Sequence, residues 1–281
     1  MDRKILFTGR GTSGSWQIRG VQLAAAMVVR AVPAATAPDC ARADVVIGIK
    51  RLTDEMLRAI RPRPLVWDIV DAWPQPRGND WNRVECMDWL ASELDRIRPA
   101  AVIAATAAMR ADVEAFGYRC LWLPHHHRPN IASNPIRERI ALVGYEGGLG
   151  YIEPMRRMIE TECRRIGAEF VANPIRLADV DVVLALRNSS GYAPRHWKSA
   201  VKLANAHGSG TPWIGCNEGG YREIATGCEY WAEDAAGLRT ALDWLKDRAS
   251  REAVSDRFRK AAFSVDRAAA MLREWLCALK F

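Results

Sequence analysis

The chain has 281 residues, 49% hydrophobic and 26% charged, which suits two globular domains of ordinary size and excludes wholesale disorder. Forty Lys and Arg against 33 Asp and Glu give a net charge of +7, favouring nucleic acid, nucleotide or acidic membrane partners, although the basic residues form no dense run. No apolar run reaches the ~18–20 residues of a membrane span, and the start through Gly9 turns to glycine too early for a signal peptide. Seven cysteines without a C-x-x-C pair argue against a disulfide framework or zinc ribbon and for a cytoplasmic location.

Short apolar runs alternate with helical patterning. Lys4–Thr8, Asp44–Ile49, Pro64–Val70, Ala100–Ala105 and Cys120–Leu123 read as strands, with helices at Ser15–Arg30, Leu52–Ile60, Asp80–Ile97 and Ala107–Phe116. Near-continuous apolar strands belong to parallel sheets covered on both faces. The pattern breaks at Leu123-Pro124-His125-His126-His127-Arg128-Pro129-Asn130 and stays irregular to Pro135. A second series follows, with strands at Arg139–Gly144, Ala168–Ala172, Val180–Leu186 and Pro212–Cys216 and helices at Glu153–Ile166, His196–His207 and Asp234–Lys246. Phe258, Ala262, Val265, Ala269, Leu272, Trp275, Leu276 and Leu279 make one apolar stripe, the mark of a terminal helix. The fold class is α/β with two Rossmann-like domains. The first spans residues 1–124, a hinge 125–138, the second 139–257, and a helix over 258–281 crosses back to the first.

Each half opens with a strand and a glycine-rich turn. Gly9-Arg10-Gly11-Thr12-Ser13-Gly14 is a literal G-x-G-x-x-G, whose Gly11, Ser13 and Gly14 are candidates to face a ligand. A dinucleotide site would also need an acid at the end of the second strand, and residues 31–38 contain none, so an NAD-dependent oxidoreductase is a minor reading. Gly144-Tyr145-Glu146-Gly147-Gly148-Leu149-Gly150 takes the equivalent place in the second half. Asp68 and Asp71 follow a strand and are candidate general bases or hydroxyl ligands. Arg187, just past the Val180–Leu186 strand, is a candidate cation for an anionic ligand. Asp179-Val180-Asp181 spells a D-x-D metal motif but precedes its strand, so it reads as a strand-entry turn, and no metal is called for. The seven cysteines read as small buried hydrophobes, and the eleven tryptophans as core or as flat walls for sugars or bases.

The stretch from Lys198 through Lys202-Leu203 and Gly210-Thr211-Pro212 to Gly219-Gly220-Tyr221-Arg222-Glu223 resembles the donor-site signature of GT-B glycosyltransferases, particularly the retaining nucleotide-sugar group. The resemblance covers most of the second half and the overall layout; in the first half it is topological only. It implies a cytoplasmic hexosyl- or pentosyltransferase that moves a sugar from a nucleotide diphosphate, UDP favoured, to an acceptor hydroxyl without a cofactor. Lys202 and Arg187 would neutralise the leaving diphosphate, and Gly147, Gly148, Lys198, Gly219, Gly220 and Glu223 would bind the donor. Asn205 stands where the family places a ribose-gripping Glu, and the family's earlier glutamate has no counterpart in Asn188–Tyr192. These departures keep open a non-catalytic nucleotide-sugar-binding module. Gly11, Ser13, Gly14 and the linker residue His125 would lie on the acceptor side. The acceptor stays open among a glycan, a small molecule and hydroxymethylated bases in duplex DNA, as in phage DNA glycosyltransferases. Arg10, Arg19, Arg77 and Arg83 are the candidate phosphate contacts for DNA, and Trp73 and Trp81 the aromatics to replace a flipped base.

Overall fold

The computed structural model describes residues 3–71, 80–187 and 190–280. Trp73, Arg77 and the Asn188-Ser189 pair therefore lie outside the described residues. The chain divides into two units. One gathers the sequence up to Pro124, Ser190–Ser199 and the sequence from Val265, and the other His125–Ser189 and Ala200–Ser264.

The first unit runs β1 (Ile5–Gly9), a π-helical turn (Trp16–Gln22), α1 (Leu23–Ala26), β2 (Arg30–Ala31), α2 (Ala37–Ala41), β3 (Val45–Ile49) and α3 (Asp54–Ile60). It continues with β4 (Leu65–Asp68), α4 (Arg83–Ile97), β5 (Ala101–Ala104), α5 (Ala107–Glu114) and β6 (Cys120–Trp122). Its strands are parallel, in the order β2-β1-β3-β4-β5-β6. Apolar runs such as Val45–Ile49 and Ala101–Ala104 are buried along their whole length, as two-sided cover demands. Local signals place the helix starts: Thr53 caps α3, and Asn82 with Glu85 closes a reciprocal capping box on α4.

After the irregular segment come β7 (Leu142–Tyr145), α6 (Arg156–Arg165), β8 (Glu169–Ala172), β9 (Val182–Ala185), α7 (Tyr192–His196), α8 (Val201–Ser209) and β10 (Trp213–Gly215). Then follow α9 (Gly219–Ile224), β11 (Tyr230–Trp231), α10 (Ala235–Leu245), α11 (Arg248–Ala261) and α12 (Val265–Ala278). The second sheet is also parallel, in the order β11-β10-β9-β7-β8. In each sheet the first strand lies between the second and third strands of its own series, so both windings reverse beside a glycine loop. Such a reversal opens a ligand crevice at the strands' carboxyl ends.

Three expectations need correction. The helix expected to run to Arg30 ends at Ala26, and β2 and α2 follow, both too short to leave a periodic pattern, with α2 started by a Thr36–Asp39 capping box. The expected His196–His207 helix is two helices, because Trp197 turns into the first unit, fully buried with Nε1 donating to Asp112 at 2.8 Å. The terminal stripe is likewise split: Phe258 on α11 fills the second unit's core, whereas α12 belongs to the first. Arg273 of α12 donates to the carbonyl of Met27, and Arg3 to those of Leu276 and Leu279. The D-x-D is spent on folding. Asp181 accepts the N–H groups of Ala141 and Leu142 at the entry to β7, and Asp179 pairs with Arg176.

Two buried acids fix packing. Arg19, fully buried in the π-helical turn, donates through Nε to Asp68 at 2.8 Å and through Nη1 to the carbonyl of Leu123 at 3.0 Å. Removing the carboxylate strands a guanidinium in the core, so Asp68→Ala should cost about 3–5 kcal/mol in urea unfolding. In the second unit Glu162 on α6 accepts from Arg239 of α10 and from Arg165, both at 2.7 Å. Arg239 first and Arg165 second hold its pKa down to about 2. Because the folded value is depressed, this contribution is complete above the ordinary glutamate value and fades as pH falls through about 2. Stability measured against pH should show this acid limb, and Glu162→Gln should flatten it.

Candidate functional site

The winding reversal of the second sheet lies between β7 and β9. The loop after β7 carries Gly147 and Gly148, and the turn after β9 carries Arg187. Lys202, half-buried on the first turn of α8, sets its ammonium 3.9 Å from the centre of the Tyr145 ring. A Cβ on Gly147 would lie 3.4 Å from that ammonium, so the exposed glycine loop and the lysine are direct neighbours. Gly147 has φ +135°, a conformation that side chains rarely adopt. Tyr145 steadies the loop by donating its hydroxyl to the carbonyl of Gly148 at 3.2 Å.

Arg187 is nearly sealed from solvent, with Nε 2.7 Å from Oε1 of Glu218 and its guanidinium 5.5 Å from the Tyr151 ring centre. Burial opposes its charge, but the Glu218 carboxylate outweighs burial and holds its pKa above the usual arginine value. Among the described residues its Nη1 is buried without a hydrogen-bond partner. A buried donor of this kind is costly to leave unmet, and an anion lying over the glycine loop would meet it. Beside it burial pushes the Cys216 thiol up to about 12, and the Tyr221 hydroxyl well above its ordinary value. Both stay neutral at physiological pH. Gly219 and Gly220 open α9 directly after Glu218, and Glu223 lies half-buried farther along that helix.

Several expected contacts are committed elsewhere. The N–H of Gly147 donates to the side chain of Asn173 at 2.8 Å, so this loop amide is not available to a diphosphate. Asn205 is buried, its Oδ1 accepting the N–H of Arg128 at 3.0 Å, while Arg128 reaches Glu146 at 2.5 Å. The linker thus fastens α8 to the glycine loop, with the Oδ1 of Asn205 part of that seam. Lys198 is not on α8. It belongs to the first unit, where Asp71 lies between it at 3.0 Å and Lys50 at 2.5 Å. Burial opposes ionisation of Asp71, but Lys198 and Lys50 prevail and hold its pKa below the carboxylate range, too low for a general base. Asp68 is sealed under Arg19, so it is neither base nor hydroxyl ligand.

In the first glycine loop a Cβ on Gly11 would strike Pro33 at 2.8 Å, and Ser13 accepts the N–H of Trp16 at 3.1 Å, while Gly14 faces open space. Gly11 and Ser13 therefore shape the turn. The second strand ends at Ala31 without a carboxylate, and Asp39 is held by Thr36 and Arg30, which leaves no ribose acid for a dinucleotide. His125 is buried in the second unit. Arg19 is buried and out of reach of a DNA phosphate, whereas Arg83 is exposed while pairing with Asp112, and Trp81 packs half-buried on the first core. Five cysteines are buried; Cys228 is half-buried and Cys277 is exposed. Among the described residues no His, Cys, Asp or Glu cluster is arranged to hold a metal ion, and no helix is long and apolar enough to cross a membrane.

Sequence reasoning passed over Tyr145, Tyr151, Asn173 and Arg128. Only Asn173 carried a local signal, an asparagine just past a strand in left-handed backbone, with φ 51°. The backbone of Gly147 predicts a direct outcome: Gly147→Ala should lower stability by about 1–3 kcal/mol in urea unfolding, from strain alone.

No family model matches the sequence, and no curated protein does. Solved structures do. The chain is similar to Anabaena HepE, solved with UDP and glucose, with a TM-score of 0.67 and 14% identity over 99% of this chain and 100% of that one. AviGT4, a glycosyltransferase of avilamycin A biosynthesis, gives 0.60 at 14% identity over 99% of both chains. The lipopolysaccharide outer core galactosyltransferase WaaB gives 0.57 at 10% identity over 97% and 99%. Full-length agreement, two parallel sheets with matched winding, and a terminal helix returned to the first unit give this chain the GT-B fold.

Proposed function

We propose that the protein is a nucleotide-sugar glycosyltransferase, with a UDP-sugar as the favoured donor and an acceptor hydroxyl on a glycan or small molecule. One observation carries this reading: Arg187, charged and buried with an unmet donor, and Lys202 both stand at the glycine loop of the second sheet's reversal. Two cations at a strand's carboxyl edge stabilise the negative charge that develops on a diphosphate as the glycosidic bond breaks. The structures that HepE forms with UDP and UDP-glucose support the same donor class. Retention of configuration and a hexosyl or pentosyl group follow from the motif resemblance. The loop from Gly9 to Gly14, at the first sheet's reversal, is the proposed acceptor side, with Gly14 as its open position.

A second reading, a module that binds the nucleotide sugar without transferring it, is favoured by the commitment of Asn205 to Arg128 and of the Gly147 amide to Asn173. Incubation with UDP-, GDP- and ADP-sugars separates the two. A transferase releases sugar slowly even without acceptor, a binding module only gains protection against unfolding, and silence towards every donor overturns both. In the catalytic case Lys202→Ala should lower kcat by roughly 10²–10³-fold with an unchanged melting temperature. Salt-sensitive binding to duplex DNA would support a hydroxymethylated-base acceptor, and indifference to DNA at low salt would discard it.

A further inference from the structure

We propose that the first unit carries a second anion site, at the amino-terminal edge of its sheet, for a phosphate group attached to an apolar body. The adjacent strands β4 and β5 are entered through the same tetrapeptide pattern, Arg61-Pro62-Arg63-Pro64 and Arg96-Ile97-Arg98-Pro99. Strands β4 and β5 pair side by side, and the four arginines lie in the α3 and α4 ends and turns that lead into them. Like charges gathered at one edge repel unless an anion lies among them.

The four arginines line a cavity of about 490 Å³, whose lining includes no acidic residue. Leu57, Ile60 and Ile97 form its apolar wall. Two of the guanidiniums are anchored. Arg96 is held by the carbonyl of Leu52 and by Asp54 and Glu93, and Arg98 by the carbonyl of Asp95. The other two have no carboxylate. Arg63 donates through Nη2 to the carbonyl of Ala41, and among the described residues its buried Nε has no partner. Arg61 is exposed and, among the described residues, makes no side-chain hydrogen bond or ion pair. Pro62 and Pro64 fix the backbone on either side of Arg63, so little freedom is lost when an anion docks. Guanidinium groups in a fixed fork match phosphate oxygens in pairs, and the leucine and isoleucine wall suits an apolar substituent beside them. The strands run away from this edge towards Gly9 and its loop, so the site is separate from the proposed sugar-transfer chemistry and does not rest on it.

The ligand's phosphate has two sources, a soluble ester or a lipid headgroup, and one experiment separates them. Full-length protein with ¹³C-labelled isoleucine methyls is titrated with inorganic phosphate, using chloride at matched ionic strength as control. The same protein is floated with vesicles of phosphatidylcholine alone or mixed with phosphatidylglycerol. Phosphate should shift the Ile60 and Ile97 methyls, or the mixed vesicles should capture the protein. The first alone points to a soluble ester, and vesicle capture to a lipid. Arg61→Glu, which removes no internal contact, should weaken the response roughly tenfold. Arg257→Glu, an exposed change of equal charge in the second unit, should leave it intact. Absence of both responses, or equal loss in the two variants, overturns the proposal.

Discussion

A parallel strand can be followed by another only through a crossover, and this constraint places everything else in the molecule. All strands of a sheet then release their loops at one edge, and where the winding reverses two loops part and leave a crevice. Both sheets reverse beside their first strand, and both put a glycine-rich turn there. Arg187, Gly147 and Tyr145 are drawn together by that topology across more than forty residues of sequence, and Lys202 joins them because α8 feeds the next strand in line.

Buried charge is handled differently in the two units. In the first, Arg19 with Asp68, and Asp71 with Lys50 and Lys198, tie segments of the unit together as struts, although among the described residues Nη2 of Arg19 is itself buried without a hydrogen-bond partner. In the second, the Arg187–Glu218 pair keeps a guanidinium charged while leaving one of its nitrogens unmet. The contrast is physical. Arg19 is fully enclosed in the core, whereas Arg187 follows the carboxyl end of β9, where an incoming anion gains from its open nitrogen. Carboxylates that looked catalytic in the first half are ordinary scaffold by this criterion.

The alternating β-α pattern, the glycine loops and the Lys202 to Glu223 motif were legible because they are local, set by apolar runs, cap residues and turn glycines within a few positions. Illegible features were those whose partner is distant. Nothing near Asn205 announces that Arg128 will take its oxygen, and nothing near Trp197 announces the Asp112 that pulls it out of a helix. The terminal stripe misled for a related reason: a three- and four-residue period persists across a break when the two pieces serve different cores.

By itself, then, the sequence determined the α/β class, the two series of strands and the loops that carry glycine, since backbone conformation and burial period act over short range. Only tertiary structure decided which charged side chains are struts in the core and which stand at a sheet's winding reversal. That choice depends on what lies against each group from another part of the chain, as Asp68 under Arg19 and Arg187 beside Glu218 show.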